Sequence, residues 1–238
     1  MKNDLIWFFG RGASISCNLK WEMPDAWKNL EREKQIRAIN EALPKEMDRK
    51  EIDSRPYKDL LSTLASKTSN TWRHYFITTN WDYLLQREIQ RLSLTVLPSW
   101  LANSHVFHLN GTVESWGNQK RRSQLLLPTD EPSFRKASFE SNQAMVYARD
   151  HNTFVVVGLS FSYDIDKTLL DVFSAMQDDC IIGNSSWVII DYDKTSLANI
   201  VNQLKEIFPA ATIKANEIDF GSWVANGMPE LKEMMIVS

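Results

Sequence analysis

Five short polar clusters hold most of the residues able to do chemistry, and each follows an apolar, strand-forming run. The first is Gly10-Arg11-Gly12-Ala13-Ser14, directly after Leu5 to Phe9. Glycines at this spacing let backbone N–H groups approach a ligand, and Ala13 and Ser14 are small enough to open a helix against it. Such a turn attracts anions. It equally suits an ordinary tight strand-to-helix turn, since neither G-x-G-x-x-G nor a Walker loop is present. The second cluster, Thr79-Asn80-Trp81-Asp82, offers an amide and a carboxylate, or else a turn former and a helix N-cap. In the third, His108 and Asn110 share a strand face about 6–7 Å apart. His108 there is either a proton acceptor or a satisfied structural residue. Gly158-Leu159-Ser160 and Asp191-Tyr192-Asp193 complete the set.

To bring these clusters together, the strands before them must end along one edge. Apolar strands are expected over residues 5–9, 74–79, 106–109, 153–157 and 187–190, with weaker ones over 95–97, 125–127 and 212–218. Helical spacing falls between them, over 83–91, 134–149, 164–176, 194–208 and 223–235. Buried strands alternating with helices indicate an α/β fold with a doubly wound, Rossmann-like parallel sheet, in which polar strand ends converge on one edge. Residues 25–70 read as an inserted helical lobe able to cover a ligand, with one helix over 25–42 ended by Leu43-Pro44 and a second near 57–66. A single domain spanning 1–238 accommodates all of this.

Composition narrows the function classes. A net charge of −3 leaves no electrostatic footprint for nucleic acid, and the one compact basic run, Lys120 to Arg122, is a solvated loop or a small phosphate patch. Two cysteines cannot form a zinc site, so no metal is expected; Cys17 is either a small buried residue or a nucleophile beside the glycine turn. With no signal-peptide pattern and no apolar run near 18 residues, a cytoplasmic protein free of the membrane is expected.

Taken in order, GRGAS at Gly10 to Ser14, TTNWD at Thr78 to Asp82, FHLNGT at Phe107 to Thr112 and VVVGLSFSYDI near Gly158 resemble the motifs of the sirtuin-like NAD-binding family, in its bacterial zinc-free branch. The resemblance implies that Gly10, Gly12, Ala13 and Ser14 hold the pyrophosphate of NAD, with Arg11 among them either clamping a phosphate or blocking the place where the pyrophosphate rests. Asn80, flanked by Thr79 and Trp81, would face the nicotinamide ribose and Asp82 the carboxamide. Gly158, Ser160 and Asp191 would meet the adenosine side. It also implies cleavage of the nicotinamide–ribose bond to ADP-ribose and nicotinamide, a role in bacterial antiviral defence, and a protein partner or homo-oligomer. Protein deacetylation is not expected, because the zinc cysteines of that branch are missing. Two departures stand out. Arg11 replaces the middle alanine of the turn, and Asn110 stands where the family carries its histidine before glycine. Asparagine cannot take up a proton at neutral pH, and loss of a general base costs about 100- to 10,000-fold in rate. His108, or His105 just upstream, is then the substitute base of an NAD-hydrolysing enzyme; the alternative is an impaired module that senses NAD or ADP-ribose.

Overall fold

The structure, a computed structural model, describes residues 3–67, 72–113, 125–161, 164–175 and 184–231. Six strands form one all-parallel sheet: β1 (Asn3–Phe9), β2 (Trp72–Thr78), β3 (Val106–His108), β4 (Thr153–Val157), β5 (Ser186–Asp191) and β6 (Thr212–Glu217). Among the described residues the α-helices with both ends described are α1 (Arg11–Ser16), α2 (Arg32–Met47), α3 (Arg55–Lys67), α4 (Leu84–Ser93), α5 (Ser99–Ala102), α6 (Pro132–Ser141), α7 (Gln143–Arg149), α8 (Asp164–Ala175), α9 (Lys194–Ile207) and α10 (Phe220–Ala225).

The central strands read as unbroken apolar runs because both faces of the sheet are covered. Successive side chains point to opposite sides. Leu5, Trp7 and Phe9 therefore enter a core with residues of α3, α4 and α10, while Ile6 and Phe8 enter a second core with residues of α6 to α9. Each fully buried large side chain contributes about 1.5–3 kcal/mol. The fold is α/β and Rossmann-like.

Strand order is β3-β2-β1-β4-β5-β6, so the progression reverses between β1 and β4. The register brings the carboxyl ends level. Phe9 lies opposite both Thr78 and Val157, Thr78 opposite His108, and Val157 opposite Ile190. The residues that follow form one rim, and a rim at such a reversal is where open parallel sheets take their ligands.

Several elements depart from the sequence pattern. Helix α2 runs through Pro44 to Met47, because Ile39, Leu43 and Met47 fall on one buried stripe at four-residue spacing. Their burial offsets the roughly 3 kcal/mol that an internal proline costs. Residues 95–97 are a turn, not a strand: the N–H groups of Thr95, Val96 and Leu97 all bond to the Leu92 carbonyl at the end of α4. Residues 125–127 are a buried loop. The expected helix over 134–149 breaks at extended Asn142, whose side chain accepts from Ala144 N and so starts α7. At the carboxyl end, α10 stops at Ala225, ahead of Gly227 with φ of 78°, and helix resumes over 229–231; residues 232–235 of the expected helix lie outside the described residues. Residues 25–70 divide: α3 is a core layer helix on the sheet, while the 3₁₀ turn Asp25–Asn29 and α2 reach over the rim. Cys180 and the basic run at 120–122 lie outside the described residues.

Candidate functional site

Above the ends of β1, β2 and β3 lies a cavity of about 380 Å³. Its buried polar lining is Ser14, Thr79, Asp82, Asn110 and Asp166, joined by half-buried Asn80. Trp21, Met23, Leu43, Trp81 and Pro128 supply apolar wall, with Trp21 and Trp81 edge to face at 6.4 Å. Arg11, Glu22 and Lys28 bring charge to it. Arg11 is paired with Glu22, and Lys28 with Asp25 at 2.6 Å. The wall is tied together from outside: Arg32 at the start of α2 bonds Asp130 at 2.6 Å and the Leu125 carbonyl at 2.8 Å.

Ser14 is the centre of one polar group. Its hydroxyl donates to Asp82 Oδ2 at 2.6 Å and accepts from Asn80 Nδ2 at 2.9 Å. That commits its one hydrogen and one of its two lone pairs. Asn80 Nδ2 also donates to the Gly10 carbonyl at 2.9 Å, so both amide hydrogens are used and the side-chain oxygen is left for a ligand. Asp82 Oδ1 accepts from Leu84 N at 3.1 Å, the turn-forming role, yet the residue lines the cavity as well. Burial pushes the Asp82 carboxyl above its ordinary range, against the Ser14 and Leu84 hydrogen bonds.

Thr79 is the centre of another. Its backbone carbonyl accepts from Asn110 Nδ2 at 2.7 Å, and its side chain lies near the Asp166 carboxyl. Asn110 is 1% exposed, and its Oδ1 is buried without a hydrogen-bond partner. Burial raises the Asp166 carboxyl to about 7, with the Thr79 side chain opposing the rise. Asp166 escaped the sequence reading. A signal was there: residues 166, 169 and 173 share the buried stripe of α8, and a carboxyl on an apolar stripe calls for an explanation.

His108 does not join them, and the base role expected of it is not supported. Its Nδ1 bonds the Asn80 carbonyl at 2.9 Å, which can only accept, so Nδ1 carries the proton and Nε2 accepts from the Gln86 amide. Both nitrogens are occupied, burial lowers the ring to about 4, and the residue is absent from the cavity lining. The turn after β3 is the cause: it carries Asn110 into the cavity while His108 remains in the strand.

The glycines serve packing. Gly10 N donates to the Val157 carbonyl at 2.9 Å and Gly12 N to the Gly158 carbonyl at 2.8 Å, so two N–H groups expected to cradle phosphate are spent on the turn after β4. A Cβ on Gly12 would stand 2.6 Å from Gly158 Cα, and Gly158 itself has φ of +59°. Gly10, Gly12, buried Ala13, Gly158, Ser160 and Asp191 are all absent from the cavity lining. Asp191 closes its own turn, accepting from Asp193 N at 2.8 Å. Of the cofactor residues expected, the cavity gathers Arg11, Ser14, Thr79 and Trp81.

Cys17 is fully buried, and burial pushes its thiol far above the ordinary range, which leaves it inert as a nucleophile. Among the described residues no group of three His, Cys, Asp or Glu is arranged to hold a metal, and no helix is long and apolar enough to cross a membrane. Fold and site thus define a Rossmann-like α/β domain with a polar-floored, tryptophan-walled cavity at the sheet's carboxyl edge. Compared with protein-family models and with curated proteins, the chain matches none.

Proposed function

We propose that this chain binds NAD through its nicotinamide riboside half in the cavity and hydrolyses the nicotinamide–ribose bond, releasing ADP-ribose and nicotinamide. The observation that supports this is the convergence of Asn80, Asp82 and Asn110 from two different strand ends in one cavity, with the Asn110 acceptor lacking a protein partner. A buried amide oxygen is costly unless something donates to it, and a ribose hydroxyl is a fitting donor. Asp82 keeps lone pairs for a carboxamide N–H₂, and Trp21 and Trp81 offer aromatic surface to a pyridine ring. Arg11 is the cation for the pyrophosphate in place of the committed glycine N–H groups. Its partner Glu22 is mostly exposed, and such pairs contribute only about 0–1 kcal/mol, so a phosphate displaces it at little cost.

Calorimetric titration with NAD and with ADP-ribose, followed by nicotinamide release in the same samples, tests the reading. Binding with turnover that disappears in Asn80→Ala is the expected outcome. Binding of both ligands without turnover would instead favour a nucleotide sensor, the reading that Asn110 and the occupied ring of His108 support. Binding of neither refutes the NAD reading.

A further inference from the structure

The cavity holds a second buried carboxyl residue besides Asp82. We propose that Asp166 is the general base of this site, taking the proton of the water that attacks C1′ of the nicotinamide ribose. The inference rests on the NAD-cleaving reading and deepens it.

Geometry carries it. Asp166 lines the same cavity as Asn80, Asp82 and Asn110 while being 6% exposed. The Thr79 side chain lies near Asp166, and the Thr79 carbonyl accepts from Asn110 Nδ2 at 2.7 Å. The carboxyl and the amide therefore both stand beside Thr79 in the cavity. The amide fixes a ribose hydroxyl through Oδ1, and the carboxyl lies alongside to receive a proton. Asp82 is committed to another part of the ligand: it accepts from Ser14 and from Leu84 N, and its remaining lone pairs are the ones offered to the carboxamide. The remaining charges around Asp166 are distant in kind from this role. Arg11 and Glu22 pair with each other, Lys28 pairs with Asp25, and Arg135 of α6, the helix packed on α8, donates to the Pro128 carbonyl at 2.7 Å.

The step balances. A bond forms between the water oxygen and C1′, and the C1′–N bond breaks with its electron pair passing to the pyridinium nitrogen, which becomes neutral. The water's proton goes to the Asp166 carboxylate and from there to solvent. Burial raises this carboxyl to about 7, which leaves a good share ionised at neutrality and gives it a basicity matched to the task.

Nicotinamide release is measured for the wild type, Asp166→Asn and Asp166→Glu across about pH 5 to 8, with ADP-ribose affinity measured in parallel. The expected result is a wild-type rate that falls as pH drops below about 7, and a loss of about 100- to 10,000-fold in Asp166→Asn with ADP-ribose affinity kept within a few-fold. Asp166→Glu keeps a carboxylate, so it retains a pH-dependent rate above that of Asp166→Asn. Turnover in Asp166→Asn equal to wild type overturns the base assignment and leaves the NAD reading standing. A wild type that neither binds ADP-ribose nor releases nicotinamide overturns both. If Asp166→Asn does not fold, a wild-type rate independent of pH over this range refutes the assignment.

Discussion

Replacing Asp166 by Asn is expected to change how stability depends on pH, whatever the ligand. An aspartate in the unfolded chain titrates near 3.9, whereas burial holds Asp166 at about 7 in the fold. Below about pH 4 both states are protonated and the group has no effect. Between about pH 4 and 7 the unfolded chain releases its proton while the fold retains it. The fold then binds more protons, and stability falls by about 1.4 kcal/mol per pH unit. Above about pH 7 the penalty is constant, at about 4 kcal/mol for a shift of about three units. Asparagine carries no such penalty. The variant therefore gains on the wild type from about pH 4 to 7 and holds that gain above it. His74 and His108, lowered by burial to about 3 and about 4, and Asp82 and Asp191, raised by burial, titrate in both proteins and cancel in the difference. Urea unfolding of both proteins from about pH 5 to 8 measures it. A difference that does not vary with pH means Asp166 ionises in the fold as it does in the unfolded chain, and refutes the reasoning.

Three further outcomes are expected. Gly158→Ala combines a left-handed φ of +59° with a Cβ 2.5 Å from Gly12 Cα, and loses about 3 kcal/mol of stability by chemical denaturation. A loss under about 1 kcal/mol would mean the two turns separate easily. His108→Ala leaves the Asn80 carbonyl and the Gln86 amide without their partner, costing about 1–3 kcal/mol, yet the pH profile of nicotinamide release stays that of the wild type. A shifted profile would restore His108 as the base. Cys17 resists alkylation in the folded protein and reacts once urea unfolds it; rapid labelling of native protein would contradict its burial.

Apolar runs of period-independent hydrophobicity located all four central strands, because a strand covered on both faces needs no alternation to be recognised. Gly10, Gly12 and Gly158 were legible as turn residues, and Asn80, Asp82 and Asn110 as polar groups at strand ends. Their uses were not. Whether a glycine N–H faces a phosphate or a neighbouring carbonyl depends on how closely the turns after β1 and β4 approach, and that distance is set by packing across the sheet. Pro44 and Asn142 misled for a similar reason: local propensity lost to a buried stripe in one case and gave way to a side-chain cap in the other. Asp166 and His108 are the clearest contrast. In the chain one is an acidic residue in a helix's first turn and the other a histidine beside a glycine turn. The sequence by itself determined which strand ends carry polar chemistry. Only the tertiary structure decided which side chains share the cavity, because burial and hydrogen-bond partners, which control proton affinity, come from residues distant in sequence.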